Sequence, residues 1–237
     1  MFKYHLPYGE GFIEVNVPKE AEVLKPNFQG KAISLEKELK ESLEKPINFL
    51  SLSEFLRDKR EIAISIEDDT RPIDNKKILR VLFDYLRESG IYNKNVKIIV
   101  ATGLHKDNTK YDFSDISYGF SVEVIKHDPD NNLFFFEDEN LGPVGINENF
   151  VKADARIIIG DVIPHQIFGF SGPPKSIIPG LCDRKTINYT HKQVLYHDFK
   201  AGRRENIVRR WVEEFSRKIP DIFAINIVQN IRKEIVG

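Results

Sequence analysis

EIAISIEDDTRP, residues 61–72, decides the fold. An apolar run, 61–66, passes without a linker into a loop of carboxylates, a hydroxyl, a guanidinium and a proline. A short apolar run with a polar boundary reads as a buried strand. Asp74 then sits where a helix N-cap belongs. The helix expected over 75–89 carries Ile78, Leu79, Leu82 and Leu86 on one face, and Gly90 ends it. The pattern recurs twice. NVKIIVATGLHK, residues 95–106, predicts a strand over 96–101 and a polar loop, and ARIIIGDVIPH, residues 155–165, predicts a strand over 155–160 and another.

The flanking sequence fits the same plan. Residues 11–18 alternate as a strand does. Leu35, Leu39 and Leu43 form one stripe of a helix over 34–45, which Pro46 stops. A helix or turn is expected near 107–118 and a strand over 122–126. A helix over 203–217 turns Ile207, Val208, Trp211 and Phe215 inward, and a last strand spans 223–230. Strands alternating with helices define an α/β fold: a doubly wound, mostly parallel, Rossmann-like sheet with helices on both faces. In such sheets ligands bind at the carboxyl ends of the strands. The polar loops at 68–71, 103–105 and 165 all fall there.

Composition narrows the function classes. Net charge is −1 over 237 residues, so no basic field argues for nucleic acid. No apolar run reaches the ~18–20 residues of a membrane span, and the N-terminus lacks a signal-peptide apolar core. Cys182 is the single cysteine, which excludes an internal disulfide or a cysteine-rich metal site and favours a cytoplasmic location.

Each candidate residue has a functional and a plain account. Arg71 can fork onto a carboxylate or phosphate; a turn with a local Asp–Arg pair explains Asp68, Asp69, Thr70 and Arg71 equally. His105 and His165 lie on separate strand-end loops. Either could be an ordinary loop residue, yet together they could face a substrate from opposite sides as two proton shuttles. PHQIFGFSGPPKSIIPG, residues 164–180, holds Lys175 behind two prolines. It is no Walker A loop, because proline precedes the lysine. A rigid stem suits a nucleophile or covalent anchor, and a surface turn with a solvated lysine is the alternative. His191 alone could supply only one metal ligand. His5, His127 and His197 read as surface or structural residues, and Cys182 as a small buried hydrophobe.

Taken in order, these fragments resemble the lactate racemase family of nickel-pincer enzymes. They are D-x-T-R-P at Asp68–Pro72, A-T-G-x-H at Ala101–His105, P-H-x-x-x-G-F-S-G-x-x-K-x-x-x-P-G at Pro164–Gly180, and a histidine at 191. The resemblance implies a nickel ion held in a sulfur–carbon–sulfur pincer on a pyridinium mononucleotide. Lys175 would carry that cofactor covalently and His191 would ligate nickel. Asp68, Asp69, Thr70, Arg71 and Gly172 would lie against it. It implies racemisation or epimerisation of a lactate-like 2-hydroxy acid by hydride removal and return through a 2-keto acid. His105 and His165 would be the paired bases, Arg71 would hold the substrate, and Asp68 would orient its neighbours. Residues 1–237 would form the N-terminal cofactor-binding domain, with the family's second, C-terminal domain absent from this chain. SGPPK departs from the smaller residues usual before the family's lysine. Two other functions fit the residues alone: a non-catalytic nucleotide- or cofactor-binding domain, and a phosphate-binding α/β enzyme with Lys175 as counter-charge.

Overall fold

Two antiparallel strands, β1 (Phe2–Tyr8) and β2 (Gly11–Val17), open the chain as a hairpin. The computed structural model describes residues 1–9, 11–22, 24, 30–230 and 232–237. α1 (Leu35–Glu44) buries Leu35, Leu39 and Leu43, and the Ser34 hydroxyl caps it by accepting the Lys37 N–H. α2 (Leu52–Leu56) starts on a reciprocal Ser51–Glu54 capping box. β3 (Glu61–Glu67) follows, then α3 (Asn75–Glu88), which Asp74 caps as its position predicts. β4 (Asn95–Ala101) and β5 (Ser121–Lys126) complete the first half. The second half begins with a hairpin, β6 (Leu133–Asp138) and β7 (Gly142–Asn147), and the short α4 (Glu148–Lys152). β8 (Ala155–Asp161) leads to a two-rung ladder of β9 (Pro164–His165) and β10 (Gly169–Phe170). α5 (Pro173–Lys175), α6 (Arg184–Lys192), α7 (Ile207–Ser216) and β11 (Ile222–Ile227) close the chain.

The main sheet has the order β11-β8-β3-β4-β5, and every neighbouring pair is parallel. The chain runs outward from β3 through β4 to β5, then returns to place β8 on the other side of β3. The order therefore reverses between β3 and β8, and a crevice opens above their carboxyl ends. Side-chain alternation along β3 explains its central place. Ile62, Ile64 and Ile66 join one core with α1, α2 and α3, while Ala63 joins a second with α6, α7 and the β6–β7 hairpin. Both faces are covered, as the isoleucine-rich run requires.

Near 107–118, where a helix or turn is expected, the chain forms turns and no helix, with Asp107 accepting from the Thr109 N–H and the Tyr111 hydroxyl. Other expectations need adjustment. The helix expected from 203 begins at Ile207, where Asn206 caps it. The last strand ends at Ile227. The proline-broken stretch around Lys175 is helical. Pro173 and Pro174 occupy the first two helical positions, where a missing N–H costs nothing, and a wider turn, Ser176–Gly180, continues from them. Cys182 is fully buried, and buried His127 is a structural residue whose Nε2 lies 3.0 Å from the Cys182 carbonyl.

Gly169 shows how tightly this region is built. Its φ is +72°, and a Cβ there would sit 2.0 Å from the Arg203 carbonyl oxygen. Gly169→Ala is expected to cost about 3 kcal/mol or more, lowering Tm by roughly 6–12 °C in a chain of this size. A thermal melt within 2 °C of wild type, on the order of a surface change, would contradict this packing.

A candidate active site at the strand ends

The carboxyl ends of β3, β4 and β8 frame a cleft of about 730 Å³. Asp68, Arg71, His105, His165, Lys175 and His191 all line it. Residues dispersed over 124 positions of sequence, from 68 to 191, are thus brought to one cavity. Three predicted members, Asp69, Thr70 and Gly172, stand outside its walls. Asp69 turns away, its Oδ2 accepting the Thr109 hydroxyl. Gly172 is buried as the N-cap of α5. Thr70 acts through its neighbours: its hydroxyl donates to Asp68 Oδ1 at 2.5 Å and lies 3.3 Å from His105 Nδ1.

The two cleft-lining histidines implied as bases are held oppositely. Asp68 is 2 % exposed, and its Oδ2 lies 2.6 Å from His105 Nδ1. A carboxylate only accepts, so Nδ1 carries a proton, and in the neutral ring Nε2 keeps its lone pair. His165 shows the reverse. Its Nδ1 accepts the N–H groups of Ile167 (3.1 Å) and Phe168 (3.3 Å). In the neutral ring the proton therefore sits on Nε2. Burial, with the Lys175 and Arg71 cations and His191 adding to it, pushes the His165 pKa down to about 4.

A pH dependence follows. Unfolded, His165 titrates near its ordinary value of about 6.5. Folded, it stays neutral down to about 4. The unfolded chain binds the extra proton in that window, so this contribution to stability is present above pH 6.5 and lost as pH falls toward 4. Glu67, pushed up instead, has the opposite slope. The check is therefore a difference: urea midpoints of wild type and His165→Gln across pH 4–7 should converge as pH falls. Parallel curves would contradict the neutral ring.

His191 is partly buried on α6, and its Nδ1 lies 2.7 Å from the Ile187 carbonyl. A carbonyl also only accepts, so Nδ1–H donates and Nε2 is left as a free lone pair. Burial lowers its proton affinity. Such a ring is already in the tautomer that a metal takes. Among the described residues no group of three His, Cys, Asp or Glu side chains could hold a metal ion. Any metal at His191 needs donors from elsewhere.

Lys175 is the unusual cation. Its amine makes no hydrogen bond or ion pair among the described residues. Burial, then the Arg71 guanidinium, pushes its pKa down to about 8 against the pull of Glu67, Asp161 and Asp68. Two of these partners escaped the sequence reading. Glu67 ends β3 and Asp161 ends β8, each one residue past the strand expected there. Both were legible only as an acidic residue directly abutting a buried run.

The fold and this cleft define an α/β domain with a candidate ligand site at the strand switch. The chain belongs to the lactate racemase N-terminal domain family, whose model matches residues 8–202. It is 29% identical over 257 aligned residues to the lactate racemase of Thermoanaerobacterium thermosaccharolyticum, covering 100% of this chain and 58% of that protein. Against the lactate racemase of Lactiplantibacillus plantarum the identity is 28%, over 100% of this chain and 59% of the relative. The structure of the lactate racemase apoprotein from T. thermosaccharolyticum superposes with a TM-score of 0.78 at 27% identity, covering 100% of this chain and 58% of that one. A Thermotoga maritima protein shares the fold, with a TM-score of 0.66 at 21% identity over 88% of this chain and 55% of its own. The chain thus spans under two thirds of the length of these relatives.

Proposed function

We propose that this domain carries the reacting centre of a racemase or epimerase of 2-hydroxy acids, using the nickel-pincer nucleotide that the family resemblance implies. The observation that supports it best is that His105 and His165 line one cleft with opposite tautomers, together with a lysine amine that has no partner among the described residues.

The residues present fit that cofactor. Lys175 offers an amine with low proton affinity, as acylation needs. His191 offers one imidazole lone pair, and the pincer would bring the other donors. Ser176, lining the same cleft, has a buried hydroxyl with no partner among the described residues. When bound, the group supplies a hydride acceptor and a soft metal, with a 2-keto acid formed transiently. The chain's own residues do the rest. Arg71 pairs with the substrate carboxylate and fixes its orientation. His105 Nε2 accepts the hydroxyl proton, and Asp68 holds the ring in the accepting tautomer and stabilises the imidazolium. His165 meets the substrate with Nε2–H, as a donor to its oxygen. A pure counter-charge role suits Lys175 less well, because such a cation works best fully protonated.

The test is isotopic. The protein, produced together with the enzymes that make the cofactor, is given one enantiomer of 2-hydroxypropanoate carrying deuterium on the α-carbon. The expected product is the other enantiomer with deuterium retained. Deuterium lost to water would mean proton abstraction at carbon, and would overturn the hydride reading.

A further inference from the structure

His105 stands at the exit of β4 with its side chain 50% exposed, against 2% for Asp68. Its neighbours Leu104 and Lys106 are exposed as well. A ring on an open loop keeps one geometry only if the loop itself is held. Upstream the hold is backbone: the Gly103 N–H donates to the Gly180 carbonyl at 3.0 Å, and the His105 N–H to the Thr102 carbonyl at 2.9 Å. Downstream it rests on two side chains.

The first is Asp107. Its side chain is 1% exposed, although Lys106 and Asn108 on either side face solvent. Oδ1 accepts the Thr109 N–H at 2.8 Å and lies 3.5 Å from the Lys126 ammonium, and Oδ2 accepts the Tyr111 hydroxyl at 2.7 Å. The same ammonium donates to the Asp107 carbonyl at 2.8 Å and stands 5.5 Å from the centre of the Tyr111 ring. Tyr111 packs against the core that β3 shares with α1, α2 and α3, and Lys126 ends β5. Asp107 thus fastens the loop to the core and to the edge of the sheet. Hydrogen bonds to a charged acceptor are the strong ones, and a buried carboxylate deprived of them is costly.

The second is Thr109, whose hydroxyl donates to Asp69 Oδ2. Asp69 directly follows Asp68. The bond therefore ties the loop that carries the ring to the loop that carries its acceptor. Together with Asp68 and His105 it joins the two loops at two points, and two points fix an orientation that one leaves free to pivot.

We propose that Asp107 and Thr109 are positioning residues for His105, holding its ring on Asp68 so that Nε2 keeps its lone pair. Neither lines the cleft, so both act through the ring. This rests on reading His105 as a proton acceptor of the reaction.

The test reads the ring itself, in cofactor-free protein labelled with nitrogen-15 histidine. Long-range proton–nitrogen spectra are taken near about pH 8.5, above the ordinary histidine range, with the His105 signals assigned by their loss in His105→Gln. In wild type, Nδ1–H should outnumber Nε2–H by about tenfold or more, as a hydrogen bond to a carboxylate gives. In Asp107→Ala and in Thr109→Val that ratio should fall about threefold or more, while Thr109→Ser, which keeps the hydroxyl, should match wild type. Asp138→Ala is the matched control. It removes a carboxylate 6% exposed that is bonded to Lys218 and to the Asn140 and Leu141 N–H groups at the β6–β7 turn, and it should leave the ratio alone. If Asp107→Ala does not fold, Thr109→Val decides alone. An unchanged ratio in both variants, or an equal fall in Asp138→Ala, overturns the proposal. In cofactor-loaded protein, kcat for 2-hydroxypropanoate should fall about tenfold or more in Asp107→Ala, with KM unchanged because Arg71 lies on the other loop. If the ratio falls as expected but kcat does not, the reading of His105 as a base fails and the positioning assignment stands.

Discussion

Asp68→Asn should slow racemisation by about 10²–10⁴-fold in both directions, with the fold and cofactor content unchanged. The carboxylate is buried and accepts from both the Thr70 hydroxyl and N–H while it holds His105 Nδ1 at 2.6 Å. A carboxamide of the same shape can offer its N–H to Nδ1 instead. That moves the imidazole proton to Nε2 and removes the lone pair that the hydroxyl proton needs. Enantiomers are equal in free energy, so the loss must be the same from either side. Chiral chromatography of both time courses measures it. An activity within threefold of wild type, about 0.6 kcal/mol of barrier, would show that Asp68 does not set the tautomer.

Lys175→Arg should abolish both covalent loading and turnover. Arginine keeps the charge but cannot act as a nucleophile. A counter-charge role would survive it in part. Lys175 is well chosen to separate the two, since its amine makes no ion pair among the described residues. Intact mass and chiral turnover on the same preparation give both readouts. Residual racemisation above about 1% of wild type, a barrier change under about 3 kcal/mol, would contradict the tether.

Much of this site was readable before any coordinates. Isoleucine runs ending in polar loops placed Asp68, His105 and His165 at strand ends, and strand ends converge in a doubly wound sheet. The helical state of Pro173–Lys175 was harder to read, because prolines that break a helix interior start one equally well. α6 was missed although Asp183 caps it and Thr186, Ile187 and Thr190 share its buried face. Its short, polar pattern resembles a loop, and its packing partners lie far away in sequence. The β6–β7 hairpin was missed for a related reason. Phe134 and Phe135 remain exposed, so LFFFED lacks one-sided alternation. The Glu67–Asp161 pair could not be foreseen at all. Its character comes from burial and from β3–β8 adjacency, which only the sheet order supplies.

The most direct measurement is intact-mass and peptide mapping, with nickel analysis, of wild-type protein made alongside the cofactor's biosynthetic enzymes. The expected result is one adduct, on the Lys175 peptide, with nickel in equal amount, and nickel lost in His191→Ala while the adduct stays. An adduct on another residue, or nickel bound equally well without any adduct, would contradict the assignment of Lys175 and His191.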